Sequence, residues 1–388
     1  MAKLNHIPFH RAYMGKEEIK GVITAIKSGW ITMGPKTVEF EEKFRAYTGA
    51  KHAIAVNSCT AALHLALEAI GIKEGDEVIV PAITFTATAE VVCYFKAKPV
   101  FVDVEKDTLN IDSTKIEEKI NSKTKAIITV DYAGQPVDYD EVRKIARKHK
   151  LFIIEDAAHT LPSGYKGKNV GMLADITCFS FYATKTLATG EGGMIVTNNL
   201  RWAKRMKIMR LHGMNKDAWK RYDMGGSWYY EVVGAGYKYN TTDINSAIGI
   251  AQLKKLELMW KKRQAIAKMY DSGFKEIPEL IIPVIKKGRV TSWHLYVIKL
   301  NLEQLSIDRA KFIKELVKQG ISASVHFIPL YKHPFYRDKF KYKPHQFPNS
   351  EWLYERIISL PIYPGMSNSQ VKRVIDTVKK IIRQYKNV

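Results

Sequence analysis

Leu151-Phe-Ile-Ile-Glu155-Asp156-Ala-Ala-His159 is a short apolar run that ends in two carboxylates. Similar runs precede it, and each is separated from the next by a segment with helical spacing of its apolar residues. Short, almost continuously apolar strands are typical of a parallel sheet that is covered on both faces. The alternation predicts an open α/β sheet with right-handed crossovers. The predicted strands are Ala53–Val56, Glu77–Val80, Pro99–Asp103, Ala126–Val130 and Leu151–Glu155, and the predicted helices are Thr60–Ile70, Ala87–Phe95, Thr114–Ile120 and Asp140–His149.

The pattern changes after Asn198, and it predicts a second unit. We place an N-terminal segment and a large α/β domain in residues 1–250, and a connector helix with a smaller α+β domain in residues 251–388. Residues 213–230 are rich in Gly, Met, Trp and Tyr and predict an irregular excursion. The other predicted elements are helices at Leu200–Leu211, Asp243–Phe274, Asp308–Lys318 and Asn368–Tyr385 and strands at Leu295–Leu300 and Ile321–Val325.

Composition indicates a soluble globular chain, with 46% hydrophobic and 26% charged residues among 388. No apolar run reaches the roughly 18 residues that a membrane span requires, and the start of the chain lacks the apolar core of a signal peptide. We therefore expect a cytoplasmic protein with no membrane partner. The cysteines Cys59, Cys93 and Cys178 show no metal-ligand spacing, so no metal is expected. The net charge of +22 fits either a lysine-rich surface or an anionic ligand; the lysines are dispersed, which favours the surface and argues against nucleic acid.

The chemistry-bearing residues follow two apolar runs. Asp156 ends one run, at the edge of the sheet where open α/β folds bind ligands; a helix cap is the alternative role. Lys185 follows the next run in Ser180-Phe-Tyr-Ala-Thr-Lys185, and an exposed loop lysine is its alternative. An amine for an aldehyde, an anion for a ring nitrogen and a hydroxyl for a phosphate are what pyridoxal 5'-phosphate needs. The combination of Asp156, Ser180 and Lys185 therefore predicts that cofactor.

Other residues at the same sheet edge could complete this site. Thr60 opens a predicted helix, where free N–H groups bind anions, although it could equally cap the helix. Phe85 follows a strand and could stack on a flat ring, and core packing is its alternative. His159 lies three residues after Asp156 and could reach a ring hydroxyl; a structural histidine is the alternative.

With these motifs together, the chain resembles the DegT/DnrJ/EryC1/StrS sugar aminotransferases over nearly its whole length. The resemblance implies an α/β fold of the type I pyridoxal-phosphate aminotransferases, with a mostly parallel central sheet covered by helices and a smaller C-terminal α+β domain. The matching segments begin at Ser28-Gly-Trp-Ile-Thr-Met-Gly-Pro35, Asn57-Ser-Cys-Thr-Ala-Ala-Leu63, Gly75-Asp-Glu-Val-Ile-Val-Pro81 and Pro99-Val-Phe-Val-Asp-Val104. They continue with Glu155-Asp-Ala-Ala-His159, Phe179-Ser-Phe-Tyr-Ala-Thr-Lys185, Gly190-Glu-Gly-Gly193, Gly236-Tyr-Lys-Tyr-Asn-Thr-Thr-Asp243 and Val325-His-Phe-Ile-Pro-Leu330.

The resemblance also implies a role for each matched residue. Lys185 would bind the cofactor aldehyde and then carry the proton, while Asp156 would pair with the ring nitrogen. His159 would lie near the ring oxygen, and Phe85 would cover one ring face. The phosphate would be held by Cys59, Thr60 and Ser180, with Asn240 reaching the cofactor of a neighbouring subunit in a homodimer with shared active sites. The substrate would be approached by Trp30, Tyr182, His326 and Tyr331.

Two departures from the family pattern concern the site. Cys59 replaces a glycine in the phosphate loop, which we expect to change little because cysteine is small. Tyr182 replaces a histidine at a position that we expect to face the substrate, so it bears on sugar specificity. Lys185 itself favours amino transfer, because relatives that dehydrate the sugar carry histidine there.

The resemblance therefore implies transfer of an amino group, with glutamate as the expected donor, to a nucleotide-linked keto sugar. A UDP-4-keto sugar for lipid A or surface-polysaccharide modification is favoured. A GDP- or dTDP-4-keto-6-deoxyhexose, as in perosamine synthesis, and a 3-keto sugar remain open. The competing classes are a non-catalytic regulator on the same fold and a nucleic-acid binder driven by the +22 charge.

Overall fold

The computed structural model describes residues 6–215 and 229–387. Its α-helices are α1 Lys16–Lys27, α2 Pro35–Thr48, α3 Cys59–Ile70, α4 Ala87–Tyr94, α5 Tyr139–His149, α6 Leu200–Met209, α7 Asp243–Lys254, α8 Leu256–Phe274, α9 Arg309–Lys318, α10 Pro334–Phe340, α11 Pro348–Arg356 and α12 Asn368–Tyr385. Its strands are β1 His52–Val56, β2 Glu77–Pro81, β3 Lys98–Val102, β4 Thr124–Val130, β5 Phe152–Asp156, β6 Gly164–Tyr165, β7 Lys168–Asn169, β8 Ile176–Ser180, β9 Gly193–Thr197, β10 Leu280–Ile281, β11 Arg289–Val290, β12 Tyr296–Leu300 and β13 Ile357–Leu360. None of these helices is long and apolar enough to span a bilayer.

The central sheet has seven strands in the order β1-β9-β8-β5-β4-β2-β3. Strands β8, β5, β4, β2 and β3 pair in parallel, and only β9 runs against its two neighbours, β1 and β8. Residues along these strands are almost all buried, as expected when helices cover both faces. The mostly parallel, helix-covered sheet predicted from the sequence is thus confirmed.

Helices cover both faces of the sheet, and an apolar core lies between the sheet and the helices on each face. One core joins β-strand residues such as Ile127 and Ile153 to α2 and α5, through Phe44 and Val142. The other joins the opposite sheet face to α3, α4 and α6. Packing on both faces holds the carboxyl ends of β5 and β8 in fixed positions, and those ends carry the residues with chemical function.

The C-terminal region forms its own antiparallel sheet, β10-β12-β13. Helices α8, α9 and α12 bury a third core against it, with Tyr270, Phe312 and Val378 fully buried. Ile7 belongs to the same core and forms a parallel bridge with Ile321, so the start of the chain is anchored on the C-terminal region. The boundary predicted between residues 250 and 251 stays a prediction.

Several elements differ from the sequence-based expectation. The helix expected at Thr114–Ile120 is replaced by two short 3-10 turns, Ser113–Lys115 and Glu117–Lys119. The single helix expected at Asp243–Phe274 is two helices, because the backbone leaves helical geometry at Lys255. The strand expected at Ile321–Val325 was wrong, since Ile321 and Ser324 make only isolated bridges. Most of the predicted excursion at 213–230 lies outside the described residues.

Asp131 and Glu155 form a buried carboxyl pair at the carboxyl ends of β4 and β5. Both are 0% exposed. Asp131 Oδ1 accepts the Val137 N–H at 3.0 Å and the Tyr139 hydroxyl at 3.2 Å, and the Thr177 hydroxyl donates to Glu155 at 2.6 Å. Burial, followed by the charge of Glu155, raises the pKa of Asp131 well above its usual range. Asp131 Oδ2 and Glu155 Oε1 are buried and have no other hydrogen-bond partner among the described residues, which fits one proton shared between the two carboxyls.

Asp131→Asn should therefore change the pH dependence of stability. The raised pKa of Asp131 contributes stability that is present below its unfolded value and is lost as the pH rises toward the folded value. An amide can keep the hydrogen bonds of the protonated form without a proton to lose. We expect the melting temperature of Asp131→Asn relative to wild type to rise from pH 5 to pH 9, by calorimetry. The exposed Asp376→Asn is the control, and a parallel pH profile for Asp131→Asn and wild type would contradict the shared proton.

Candidate active site

A cavity of about 400 Å³ lies at the carboxyl ends of the central strands. It is bounded by the large sheet, the start of α3, the N-terminal segment and the C-terminal region. Nine residues proposed from the sequence line it together: Cys59, Thr60, Phe85, Asp156, His159, Ser180, Tyr182, Lys185 and His326. Three others, Trp30, Asn240 and Tyr331, are not among its lining residues.

Asp156 is held at the base of the cavity by its neighbours. The Thr88 hydroxyl donates to Oδ2 at 2.7 Å, the Ala158 N–H donates to Oδ1 at 3.2 Å, and the Cys59 thiol lies 3.9 Å from Oδ1. Burial raises the pKa of Asp156, whereas these hydrogen bonds and the charge of Lys185 oppose that rise. The carboxylate is therefore fixed in orientation and supported by donors, as a partner for a cationic ring nitrogen should be.

Lys185 follows β8 in a tight turn, in which its backbone N–H donates to the Tyr182 carbonyl at 2.8 Å. The side chain is partly buried in the cavity. Burial lowers the pKa of its amine to about 8, and the charge of Asp156 limits the change. An amine with a pKa near 8 has a much larger neutral fraction at physiological pH than an ordinary lysine, and the neutral form is the one that attacks an aldehyde.

The start of α3 forms an anion site beside these residues. Ser58 caps the helix, because its hydroxyl accepts the Ala61 N–H at 3.0 Å. The N-cap role considered for Thr60 therefore belongs to Ser58. The N–H groups of Cys59 and Thr60 have no partner in the part of the chain that the structure describes, and Ser180 joins them in lining the cavity. Free N–H groups at a helix start and nearby hydroxyls suit a phosphate.

Gly193 allows this anion site to close. It pairs with Val56 of β1 and Ser180 of β8, so it lies between the two segments that supply the site. A Cβ atom at this position would lie 2.6 Å from the Ser58 carbonyl and 2.9 Å from the Cys59 nitrogen. Those atoms belong to the backbone, which cannot rotate away from the contact. Only glycine fits here without displacement of the helix start.

Gly193→Ala should accordingly weaken cofactor binding. The new methyl group would push the first turn of α3 away from Ser180, at an overpacking cost of about 1–3 kcal/mol. We expect a rise of about tenfold or more in the Kd for pyridoxal phosphate, by fluorescence titration of the apoprotein. Gly365→Ala is the matched control, since its Cβ would meet nothing closer than 3.9 Å. Unchanged affinity in Gly193→Ala would mean that this contact does not shape the anion site.

Phe85 and His159 both line the cavity in which a flat cofactor would bind. Phe85 lines the cavity although 58% of its surface is exposed, so it is not the core residue considered as its alternative. His159 is buried, and its Nδ1 accepts the Ala133 N–H at 3.2 Å. Burial lowers the pKa of His159 well below its usual value. A neutral ring whose Nδ1 accepts must carry its proton on Nε2, which is then available as a donor.

Of the four residues expected to contact the substrate, two line the cavity and two do not. Tyr182 and His326 line the cavity, and His326 Nδ1 bonds the Ser359 hydroxyl at 2.8 Å. Tyr331 is 1% exposed and donates to Glu351 at 2.7 Å, so it has a packing role rather than an open position. Trp30 lies outside the cavity, and its indole N–H donates to the Met33 carbonyl at 3.1 Å.

Sequence patterns did not identify three further residues around the site. Thr88 holds Asp156 from the first turn of α4, and His10 and His294 line the cavity. His10 comes from the N-terminal segment, which no periodicity linked to the sheet. For Thr88, one local signal was present: it is a short polar residue in the first turn of a helix that follows a strand of the site.

Comparison with known proteins identifies the family of this chain. The profile of the DegT/DnrJ/EryC1/StrS aminotransferase family matches residues 12–379. The chain belongs to this family. It is 46% identical to the spore coat polysaccharide biosynthesis protein SpsC of Bacillus subtilis over 98% of both chains. Among solved structures, it resembles the putative sugar aminotransferase Spr1654 of Streptococcus pneumoniae in its PMP form, with a TM-score of 0.92, 35% identity and coverage of 97% of this chain and 99% of that one. It also resembles Helicobacter pylori PseC, an aminotransferase involved in the biosynthesis of pseudoaminic acid, with a TM-score of 0.92, 33% identity and coverage of 98% and 100%.

Membership in the family confirms the aminotransferase fold and the cofactor, pyridoxal 5'-phosphate. A structure of Spr1654 in the PLP form is similar to this chain, with a TM-score of 0.91. The residues present fit the group: unpartnered N–H groups at the start of α3 for the phosphate, the oriented Asp156 for the ring nitrogen and the Lys185 amine for the aldehyde. When bound, the cofactor supplies a ring that accepts electrons from the carbon undergoing proton transfer.

Proposed function

We propose that this protein transfers an amino group from glutamate to C4 of a UDP-4-keto sugar that is used in a surface polysaccharide or in lipid A. The observation that supports the proposal most is that Lys185 and Asp156 share one cavity with Tyr182 and His326. That cavity therefore combines the groups for amino transfer with polar groups for a sugar. The similarity to SpsC, a polysaccharide biosynthesis protein, and to the sugar aminotransferase Spr1654 supports a saccharide as the acceptor.

Each protein group has a defined part in the proposed reaction. Lys185, as a neutral amine, removes a proton from the donor carbon and returns one to the acceptor carbon, which typically accelerates such steps about 10²–10⁴-fold. Asp156 would stabilise positive charge at the ring nitrogen of the cofactor. His159 would donate a hydrogen bond from Nε2 to the ring oxygen. The N–H groups at the start of α3 hold the phosphate, so that the ring stays in place while the two substrates exchange.

The substrate is tested with the holoenzyme and a panel of nucleotide keto sugars. Glutamate converts the enzyme to its amine form, excess donor is removed, and each sugar is added while absorbance is recorded. A UDP-4-keto sugar should restore the original spectrum fastest. Restoration by a GDP- or dTDP-linked sugar, or by a 3-keto sugar alone, would reject the nucleotide or the carbon that we propose. No response to glutamate itself would reject the donor.

We also propose a homodimer in which Asn240 completes the partner's site. The Oδ1 atom of Asn240 is buried and has no hydrogen-bond partner among the described residues, and the residue does not line the cavity of its own chain. An unsatisfied buried acceptor suggests that its partner lies on another chain. Since C2 interfaces are reciprocal, each subunit would supply Asn240 to the other.

Mixing two inactive variants tests this arrangement. Lys185→Ala and Asn240→Ala should each lower activity strongly. Random hybrids would contain one intact site, which combines Lys185 of one subunit with Asn240 of the other. After mixing under subunit exchange, we expect activity to recover to about a quarter of wild type. If native mass spectrometry shows that hybrid dimers form but activity does not recover, Asn240 is not part of a shared site.

A further inference from the structure

One wall of the cavity is not fully used by the chemistry described above. His10, His159, His294 and His326 all line the cavity, and we call them the histidine wall. The ring centroids of His159 and His294 are 4.4 Å apart, and His326 stacks on Phe9 at 5.3 Å. The wall joins the N-terminal segment to residues that follow β5 and to the C-terminal region.

Two members of the histidine wall carry ring nitrogens without partners. His294 is 7% exposed, and its Nδ1 is buried and makes no hydrogen bond to any described residue. The same holds for Nε2 of His10. His159 and His326 differ, because their Nδ1 atoms bond the Ala133 N–H and the Ser359 hydroxyl. Buried polar atoms are normally satisfied, so the two unpaired nitrogens indicate a position for a ligand.

A buried cation contacts the backbone of the histidine wall at His294. Arg263 is 1% exposed and donates to the carbonyls of Trp293, His294 and Ile362 at 3.2, 3.4 and 2.7 Å. It makes no ion pair with a carboxylate in the described ranges, and its Nε has no partner. Arginine keeps its charge in proteins, and a buried charge is normally paired. Its positive potential therefore extends into the cavity, where His294 and Ile362 form part of the lining.

The charged groups around the wall favour an anion. His10 faces Arg263, Lys185, the Ala183 carbonyl and the ring of Tyr363, at 6.2 Å, and none of these is a carboxylate. Burial and then Arg263 lower the pKa of His10 to about 4, with a smaller effect from Lys185 that the Ala183 carbonyl opposes. Burial, His159, Lys185, Arg263 and His326 lower the pKa of His294 well below its usual value. Of the described carboxylates that line the cavity, Asp156 is engaged by Thr88 and Glu191 is exposed.

We propose that His10 and His294, backed by Arg263, form the receptor for a carboxylate of the amino donor. The inference rests on the proposed function in one respect, namely that the donor is an amino acid. The lowered pKa values keep both rings neutral when no carboxylate is bound. A carboxylate placed against them offsets the neighbouring cations, so that one imidazole takes up a proton from solvent and donates a charge-assisted hydrogen bond. Donor binding would thereby be linked to proton uptake.

Calorimetry with glutarate tests this receptor in the holoenzyme. Glutarate has the five-carbon dicarboxylate chain of glutamate but no amine, so it binds without reaction. At pH 7.5, titrations in phosphate and in Tris, which differ in ionisation enthalpy, should show uptake of a fraction of a proton. The Kd should rise as the pH increases from 6.5 to 8.5. His10→Gln and His294→Asn should raise the Kd roughly ten- to a hundredfold, and His10→Gln should reduce proton uptake.

Two controls show whether these histidines act on the donor carboxylate in particular. His149→Gln changes a histidine that pairs with Glu117 outside the cavity, and it should bind glutarate as wild type does. A nucleotide-linked uronic acid is a second source of a carboxylate, so UDP-glucuronate should bind wild type and His10→Gln with equal affinity. Three results would each overturn the proposal. The first is wild-type affinity for glutarate in a histidine variant whose melting temperature is unchanged. The others are glutarate binding without proton uptake, and a variant that loses affinity for UDP-glucuronate but not for glutarate. Because glutarate binding requires no acceptor, failure of every sugar in the acceptor panel leaves this test intact.

Discussion

Lys185→Ala should lower the turnover number for amino transfer by about 10⁴-fold or more. The variant loses both the amine that binds the cofactor aldehyde and the base that moves the proton. The amine is suited to these tasks because burial lowers its pKa to about 8, so that a neutral fraction exists near pH 7. Single-turnover absorbance with glutamate measures the loss, and borohydride reduction followed by peptide mapping locates the covalent link.

The control for this prediction is Lys144→Ala, whose side chain is 76% exposed on α5. It should keep wild-type turnover and the covalent link. Added methylamine should restore part of the activity of Lys185→Ala, since a free amine can replace the missing base in the vacated space. Normal turnover in Lys185→Ala, or a reduced cofactor attached to another lysine, would remove the basis of the proposed function.

Asp156→Asn should lower turnover by about 10²- to 10³-fold. An amide is neutral, so it cannot stabilise a proton on the ring nitrogen when negative charge moves toward it. The shape of the site should persist, because an asparagine can still accept from the Ala158 N–H and bond the Thr88 hydroxyl. We expect the loss in the turnover number for glutamate, with a smaller change in cofactor affinity.

A second measurement separates charge from structure in this variant. Thr88→Val removes one donor to Asp156 but keeps the carboxylate, so it should cost much less than Asp156→Asn. The exposed Asp338→Asn should have no effect. Equal losses in Thr88→Val and Asp156→Asn would mean that the orientation of the side chain, and not its charge, is what the site requires.

Sequence patterns predicted well those helices and strands whose conformation is favoured by the residues of the segment itself. The strands β4 and β5 are short apolar runs, and α5 has an acidic first turn and a basic last turn that match its dipole. The helix expected at Thr114–Ile120 failed because so short a segment has little helical preference of its own, and tertiary contacts decided its 3-10 geometry. The strand β13 was missed because it follows α11 without an intervening turn signal.

The residues of the site show the same contrast between local patterns, which can be predicted, and long-range contacts, which cannot. Asp156, Ser180 and Lys185 could be predicted because each follows an apolar run, and parallel strands bring their carboxyl ends to one edge. His10 could not, since it follows Ile7, whose bridge with Ile321 is a long-range contact between the N-terminal segment and the C-terminal region. Tyr331 directly follows the matched segment that ends at Leu330, yet its burial against Phe347 shows that a neighbouring motif does not fix where a side chain points.

The position of β9 has a consequence for how the enzyme is made. Strand β1 leaves the ribosome early, yet among the described residues its partner in the central sheet is β9, which is synthesised after β8. Pairing between segments so distant in sequence is slow, because the intervening chain must first be ordered. Gly193 brings the two ends of the anion site together only when that pairing is complete. We therefore expect vitamin B6 to bind only after β9 has joined the sheet, at a late stage of maturation.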